Sequence, residues 1–286
     1  MKCNGKVLIT GMHGFTGKYV AAALTDLSFD CFGLNCDLLN RKEVEERICS
    51  VKPDYVLHLA GKSFVAEIDV ESVYQSNIVG TLNLLDALVK LKVYPKKVIL
   101  ASSASVYGNS AQSPINESME PKPVSHYGCS KLSMEHMVED FSDRLPLLIV
   151  RPFNYTGQGH SEKFLIPKIV RAYKDRVSTL ELGNLNVYRE FNDVRDVSEI
   201  YVKLLTSVDI LGPINICSGR SISLLQIIKH MNKISGKSMD VISKQKFVRK
   251  NEVDHLAGST DKLQSCIQFE FEHSIEDTLH WMFFAS

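Results

Sequence analysis

Tyr127 and Lys131 stand four positions apart in the segment Tyr127-Gly128-Cys129-Ser130-Lys131, which opens a helix-like stretch. Residues four apart share a helix face, so the phenol and the ammonium project together. A free tyrosine titrates near pH ~10, roughly three units above neutrality. A neighbouring ammonium favours the phenolate and draws the hydroxyl toward the range of a general acid or base. Upstream, the run Ser102-Ser103-Ala104-Ser105-Val106-Tyr107-Gly108 closes an apolar segment and sets a serine, Ser103, at the end of a predicted strand. A Y-x-x-x-K pair alone is common on helices and mostly inert. Joined to a strand-end serine and to the loop described next, it becomes specific.

That loop is Thr10-Gly11-Met12-His13-Gly14-Phe15-Thr16-Gly17, with glycines spaced G-x-x-G-x-x-G between the first predicted strand and its helix. Glycine is wanted there because the turn is tight, the backbone approaches a pyrophosphate, and the helix N-terminus offers free N–H groups to the phosphates. In dinucleotide sites an acidic residue at the end of the second strand holds the ribose of NAD, and a basic one accepts the phosphate of NADP. Here the neutral Asn35 stands nearest that place and Asp37 two residues later, so the choice between NAD and NADP stays open. Asp37 either faces the ribose or adenine, or caps the helix that follows.

The elements that must carry these groups follow from periodicity. Apolar runs at Lys6 to Thr10, Cys31 to Leu34, Tyr55 to Ala60, Lys97 to Ser102 and Leu147 to Val150 alternate with helical patterns at Phe15 to Leu27, Arg41 to Ser50, Val73 to Leu91 and Tyr127 to Phe141. This alternation predicts βαβ units and a doubly wound parallel sheet of the α/β class. Past about residue 155 the pattern loosens, which predicts a smaller mixed α/β unit. The expected division is residues 1–156 with about 190–217 for the dinucleotide domain, and about 157–189 with 218–286 for the substrate domain.

Among 286 residues, 33 Lys and Arg balance 33 Asp and Glu. Such neutrality, without a basic run, argues against a nucleic-acid partner, because counterion release needs a concentrated positive face. No stretch reaches the ~18 apolar residues of a membrane span, and no signal-peptide pattern precedes the first strand. Seven cysteines without a C-x-x-C pair or metal spacing read as reduced thiols. A cytoplasmic protein that binds no membrane and no metal is expected.

Taken together, the motifs resemble the extended short-chain dehydrogenase/reductase family, in its nucleotide-sugar-modifying branch. The resemblance is carried by Thr10 to Gly17, His58-Leu59-Ala60-Gly61, Asn77-Ile78-Val79-Gly80-Thr81, Ser102 to Gly108, Tyr127 to Lys131, Arg151-Pro152-Phe153-Asn154 and Arg189-Glu190-Phe191. It implies a Rossmann-type fold, NAD or NADP as cofactor, a nucleotide-diphosphate sugar as substrate and a homodimer formed through the helices at Val73 to Leu91 and Tyr127 to Phe141. It assigns Ser103 to orient the sugar oxygen, Tyr127 to exchange the proton, and Lys131 to bind the nicotinamide ribose while tuning Tyr127. Cofactor contacts are implied for Gly11, His13, Gly14, Phe15, Thr16, Gly17, Asp37, Leu38, Leu59, Ala60, Gly61 and Asn77 as well. Substrate contacts are implied for Asn154, Arg189, Arg249 and Glu252; guanidinium forks suit phosphate oxygens.

Departures narrow the branch. The 4,6-dehydratases place an Asp-Glu pair directly after their catalytic threonine, whereas this chain has Ala104 and Ser105. The run from Arg151 to Ser161 looks most like that of the GDP-4-keto-6-deoxy-D-mannose reductases. The expected activity is therefore NAD(P)H-dependent reduction of a C4 keto group in deoxysugar biosynthesis, giving GDP-D-rhamnose or its C4 epimer. A 4-epimerase with retained NAD is the enzymatic alternative, and a non-catalytic dinucleotide-binding subunit the remote one.

Overall fold

The computed structural model describes residues 4–63, 69–109, 113–207, 210, 212–244 and 255–285. Six strands form one sheet: β1 (Lys6–Thr10), β2 (Asp30–Gly33), β3 (Tyr55–His58), β4 (Lys97–Ala101), β5 (Leu147–Pro152) and, from late in the chain, β10 (Ile214–Ile216). Their order is β10-β5-β4-β3-β1-β2 and every pairing is parallel. The helices between them are α1 (Phe15–Asp26), α2 (Arg41–Val51), α3 (Val70–Tyr74), α4 (Gly80–Lys90) and α5 (His126–Val138).

The period of two along a strand decides which layer each side chain meets. In β1, Val7 and Ile9 join a core with Val20 and Leu24 of α1, while Leu8 joins one with Val44, Leu84 and Met134 on the other face. Both faces are apolar because both are covered, as parallel sheets require. Each fully buried Leu, Ile or Val contributes about 1.5–3 kcal/mol. The chain reverses its direction of winding between β1 and β3, and a crevice outside the carboxyl ends of those strands is where such sheets bind ligands.

The later chain supplies β6 (Tyr155–Thr156), α6 (Leu165–Lys174), β7 (Thr179–Leu182), β8 (Tyr188–Glu190), β9 (Asn192–Asp193), α7 (Val194–Thr206), β11 (Ser221–Ser223), α8 (Leu224–Ser235), β12 (Asp240–Ser243), β13 (His255–Leu256), α9 (Asp261–Ile267) and α10 (Ile275–Phe284). Helix α7 contributes Val197, Ile200, Tyr201 and Leu204 to the core that α1 also lines. A separate core forms from Ile166, Ile169, Ile227, Met231 and Leu279 of α6, α8 and α10. Among the described residues no helix is long and apolar enough to cross a membrane, and no group of His, Cys, Asp or Glu is arranged to hold a metal ion.

Two local readings change. Asp37 is not the cap of α2: its Oδ1 accepts from the Leu39 amide at 2.9 Å, and Asn40 is the N-cap, accepting from Glu43. The helix expected from Val73 to Leu91 is interrupted by a π-turn at Gln75–Val79 between α3 and α4. Apolar periodicity carries no sign of that one-residue widening.

Candidate active site

The loop after β1 is built around backbone contact. Gly11 has φ +70°, and a Cβ there would stand 3.0 Å from the Ala60 amide nitrogen. A Cβ on Gly17 would fall 2.2 Å from the Gly11 carbonyl oxygen. The N-cap of α1 is Gly14, which has no side chain to bond the first helical amides, so those amides and the helix dipole face the crevice. His13 and Gly14 are exposed at the rim, while Phe15 and Thr16 turn inward and are half-buried. The Phe15 ring stacks on His160 at 4.3 Å between centroids, and the Thr16 hydroxyl meets the Tyr155 hydroxyl at 2.7 Å.

Across the switch point, Leu59 and Ala60 follow β3 half-buried and Gly61 is exposed. A Cβ on Gly61 would lie 2.8 Å from Asn77 Oδ1 and 3.2 Å from Lys131 Nζ, so both side chains converge over this glycine. Leu38 is buried under Gly80, and its carbonyl accepts from Asn83 Nδ2 at 2.8 Å. Asp37 is exposed. Bare helical amides, a glycine-lined wall and a buried ammonium suit an anionic, ribose-bearing cofactor, so these residues fit a dinucleotide.

The hydroxyl and amine groups meet at the carboxyl end of β4. Ser103 leads into a 3₁₀ turn at Ala104–Tyr107, and its Oγ accepts from the Ser105 amide at 3.1 Å. Ser125 caps α5 by accepting from the Gly128 amide at 3.1 Å, which fixes the turn that carries Tyr127. Ser103 hydrogen-bonds the Tyr127 hydroxyl. Lys131 Nζ is buried and donates to the Ala101 carbonyl at 2.8 Å.

The electrostatics correct one expectation. Burial pushes the Tyr127 phenol up to about 12, opposed by its Ser103 hydrogen bond, and Lys131 is not among the groups acting on it. The ring keeps some exposed surface, but the hydroxyl sits against protein. Burial also takes Lys131 down to about 8, opposed by the carboxylate of Glu135. Tyr127 is thus held as a neutral phenol, the form that donates a proton, and the Lys131 ammonium is destabilised rather than spent on a phenolate.

The proposed substrate groups are spread more widely. Asn154 is exposed, with its carbonyl accepting from the Asn192 amide at 2.8 Å. Arg189, in β8, is half-buried and its Nη1 donates to the Tyr188 carbonyl at 2.7 Å. Arg249 and Glu252 lie outside the described residues. Periodicity did not single out Glu190, which is buried and accepts from the Gly258 amide at 2.6 Å, the Ser218 amide at 2.8 Å and Asn192 Nδ2 at 3.2 Å. Its pKa is raised, burial outweighing these bonds. A lone acid flanked by Arg189 and Phe191 in an irregular segment was the one available signal.

Beneath Ser103 lies a charged cluster that was equally silent in the sequence. Arg151 of β5 pairs with Glu135 of α5 through Nη2 at 2.5 Å and Nε at 3.0 Å, and Ser102 donates to the same carboxylate. Arg151 Nη1 donates to the Tyr107 hydroxyl at 2.9 Å, which donates to Asn215 Oδ1 at 2.8 Å.

Comparison with known proteins agrees with this geometry. The family described as GDP-mannose 4,6 dehydratase matches residues 31–282. The chain belongs to that family. It is accordingly an NAD(P)-dependent oxidoreductase of the extended short-chain dehydrogenase/reductase type, with the Rossmann-like fold expected. It is 36% identical to a GDP-6-deoxy-D-talose 4-dehydrogenase of Aggregatibacter actinomycetemcomitans, over 90% of each chain. It is 30% identical to a GDP-6-deoxy-D-mannose reductase of Pseudomonas aeruginosa, over 96% of this chain and 94% of that one. The solved structure of RMD from Pseudomonas aeruginosa complexed with NADPH superposes with a TM-score of 0.90, at 29% identity and 98% coverage of both chains.

Proposed function

We propose that the chain reduces the C4 keto group of a nucleotide-linked 4-keto-6-deoxyhexose, with GDP-4-dehydro-6-deoxy-D-mannose as the favoured substrate and GDP-D-rhamnose or its C4 epimer as product. The observation that carries this reading is the convergence of Ser103, Tyr127 and Lys131 at the crevice, followed by Ala104 and Ser105 where a dehydratase needs an acid and a base. The two curated relatives support it: 6-deoxy-D-talose and 6-deoxy-D-mannose differ only at C4, so their nucleotide derivatives share one 4-keto precursor.

A nicotinamide cofactor, held by Gly11 to Gly17, Leu38, Leu59 to Gly61, Asn77 and Lys131, supplies the hydride when bound. The protein's own work is proton transfer and placement. Tyr127, protonated because burial opposes its ionisation, gives its proton to the oxygen at C4 as negative charge grows there. Ser103 donates to the same oxygen and fixes its direction, and Lys131 holds the ribose of the cofactor beside them. Asn154, Arg189 and Arg249 bind the nucleotide diphosphate, and Glu252 contacts another part of the substrate.

In the same reading, residues 1–156 with about 190–217 form the cofactor-binding unit and the remainder the sugar-binding unit. A homodimer through α3–α4 and α5 is favoured by the exposed Val70 and Val79 on that side of the molecule. The dispersed free thiols suit a cytoplasmic location.

Crossing several 4-keto nucleotide sugars with NADH and NADPH tests the function. Oxidation of reduced cofactor with GDP-4-keto-6-deoxymannose is expected. No oxidation, where a known reductase under the same conditions consumes the substrate, sinks the reading; tightly bound NAD with no net consumption during turnover replaces it with an epimerase.

A further inference from the structure

His58 is the last residue of β3, 1% exposed, and takes no part in the chemistry above. Its Nδ1 lies 2.7 Å from the Thr10 hydroxyl and its Nε2 2.8 Å from the Thr81 hydroxyl. Thr10 ends β1 and opens the glycine loop, and Thr81 lies one residue past the start of α4. Both threonines are buried.

The direction of every hydrogen bond in this chain is fixed by its neighbours. The Thr81 hydroxyl donates to the Asn77 carbonyl at 2.8 Å, so toward His58 it can only accept. His58 therefore carries its proton on Nε2. That leaves Nδ1 as an acceptor, filled by the Thr10 hydroxyl, whose oxygen in turn accepts from the Ala60 amide at 3.0 Å. Burial, with the nearby Lys131 charge, lowers the His58 pKa to about 3, in keeping with a neutral ring.

The chain continues through Asn77. The Lys62 amide donates to Asn77 Oδ1 at 2.9 Å and so orients the side-chain amide. Asn77 Nδ2 then donates to Ser130 Oγ at 3.0 Å, and Ser130 donates to the Tyr127 carbonyl at 2.8 Å. Neutral hydrogen bonds thus run in one direction from the glycine loop to the Asn77 carbonyl, and a second pair, from the Asn77 side-chain amide through Ser130, reaches the turn of α5 that carries Tyr127 and Lys131.

We propose that His58, locked as the Nε2–H tautomer between Thr10 and Thr81, is a positioning residue that holds the π-turn at Asn77 and thereby places Lys131 against the cofactor wall. The π-turn explains why a link is needed: a widened turn has poorer hydrogen bonding than an α-helix and is held by what packs on it. His58 bridges the two sides of the switch point, so the loop and the amine share one frame. This inference deepens the reductase reading and rests on it for its kinetic consequence.

Thr81→Val, which keeps the shape and removes the hydroxyl, cuts the series without opening a cavity. Turnover is expected to fall about tenfold or more, the scale of a displaced catalytic group, and cofactor binding to weaken with it, since Lys131 is one of the groups that hold the cofactor; Thr81→Ser is expected to restore both. In the sugar-free protein, nitrogen NMR is expected to find the His58 proton on Nε2 and a shifted Lys131 side-chain resonance in Thr81→Val. Wild-type turnover in Thr81→Val, a proton on Nδ1, or an unmoved Lys131 resonance overturns the proposal. Wild-type protein inert toward every 4-keto nucleotide sugar sinks the reductase reading instead, and the NMR readouts still decide the role of His58.

Discussion

Two polar networks hold the carboxyl edge of the same sheet, and they are built on opposite principles. Between β1 and α5, the series through Thr10, His58, Thr81, Asn77 and Ser130 is neutral throughout. Between β5 and α5, Arg151, Glu135, Ser102 and Tyr107 form an ionic cluster. A neutral network leaves the field at the cofactor wall to Lys131, whose pKa then responds to burial. An ionic one locks β5 and β10 beside the serine turn with strong, directional bonds, at a desolvation cost repaid only while both partners are present. The two networks meet at Lys131, whose ammonium the Glu135 carboxylate of the ionic cluster supports against burial.

The largest way to break this contrast is chemical. Tyr127→Phe removes the proton donor without touching either network, and turnover is expected to fall about 10²–10⁴-fold, the usual contribution of a positioned acid. Cofactor titration should remain as in wild type; unchanged activity would overturn the assignment.

Arg151→Met attacks the ionic side. It strands the Glu135 carboxylate and is expected to cost about 3–5 kcal/mol of folding stability, read by chemical denaturation. Adding Glu135→Met should recover much of that loss. If the single variant is as stable as wild type, the cluster contributes no net holding force.

The pH dependence sharpens the neutral side. Because Lys131 is brought down to about 8, its ammonium is lost as pH rises through that value, and activity that needs the ammonium is expected to decline above it. Stability moves the other way. Between about pH 8 and the ordinary lysine pKa of ~10.4, the unfolded chain binds the proton more tightly, so this group favours folding increasingly as pH rises. A kcat profile flat beyond pH 9, measured on folded protein, would contradict the lowered pKa.

The smallest effect is a control on charge itself. Lys42 and Glu46 face each other at 3.8 Å on the exposed side of α2. Lys42→Ala is expected to leave the denaturation midpoint unchanged, because exposed pairs are screened and held loosely. A large shift there would mean that charge, rather than its burial, sets the cost at Arg151.

The amino-acid sequence by itself determined the doubly wound sheet, since strand and helix periods differ and both faces of each strand read as apolar. It also determined that Gly11, Gly14 and Gly17 crowd a helix start and that Tyr127 and Lys131 share a helix face, because those relations lie within a few residues of chain. Only the tertiary structure decided the rest. The capping of α2 by Asn40 instead of Asp37 turns on a backbone path. Asn77 reaches Ser130 across 53 positions, Lys97 reaches Leu204 across 107, and Thr16 meets Tyr155 across 139. The upward shift of Tyr127 was illegible for the same reason: adjacency to Lys131 along a helix can be read from spacing, but desolvation depends on everything else that folds over the hydroxyl.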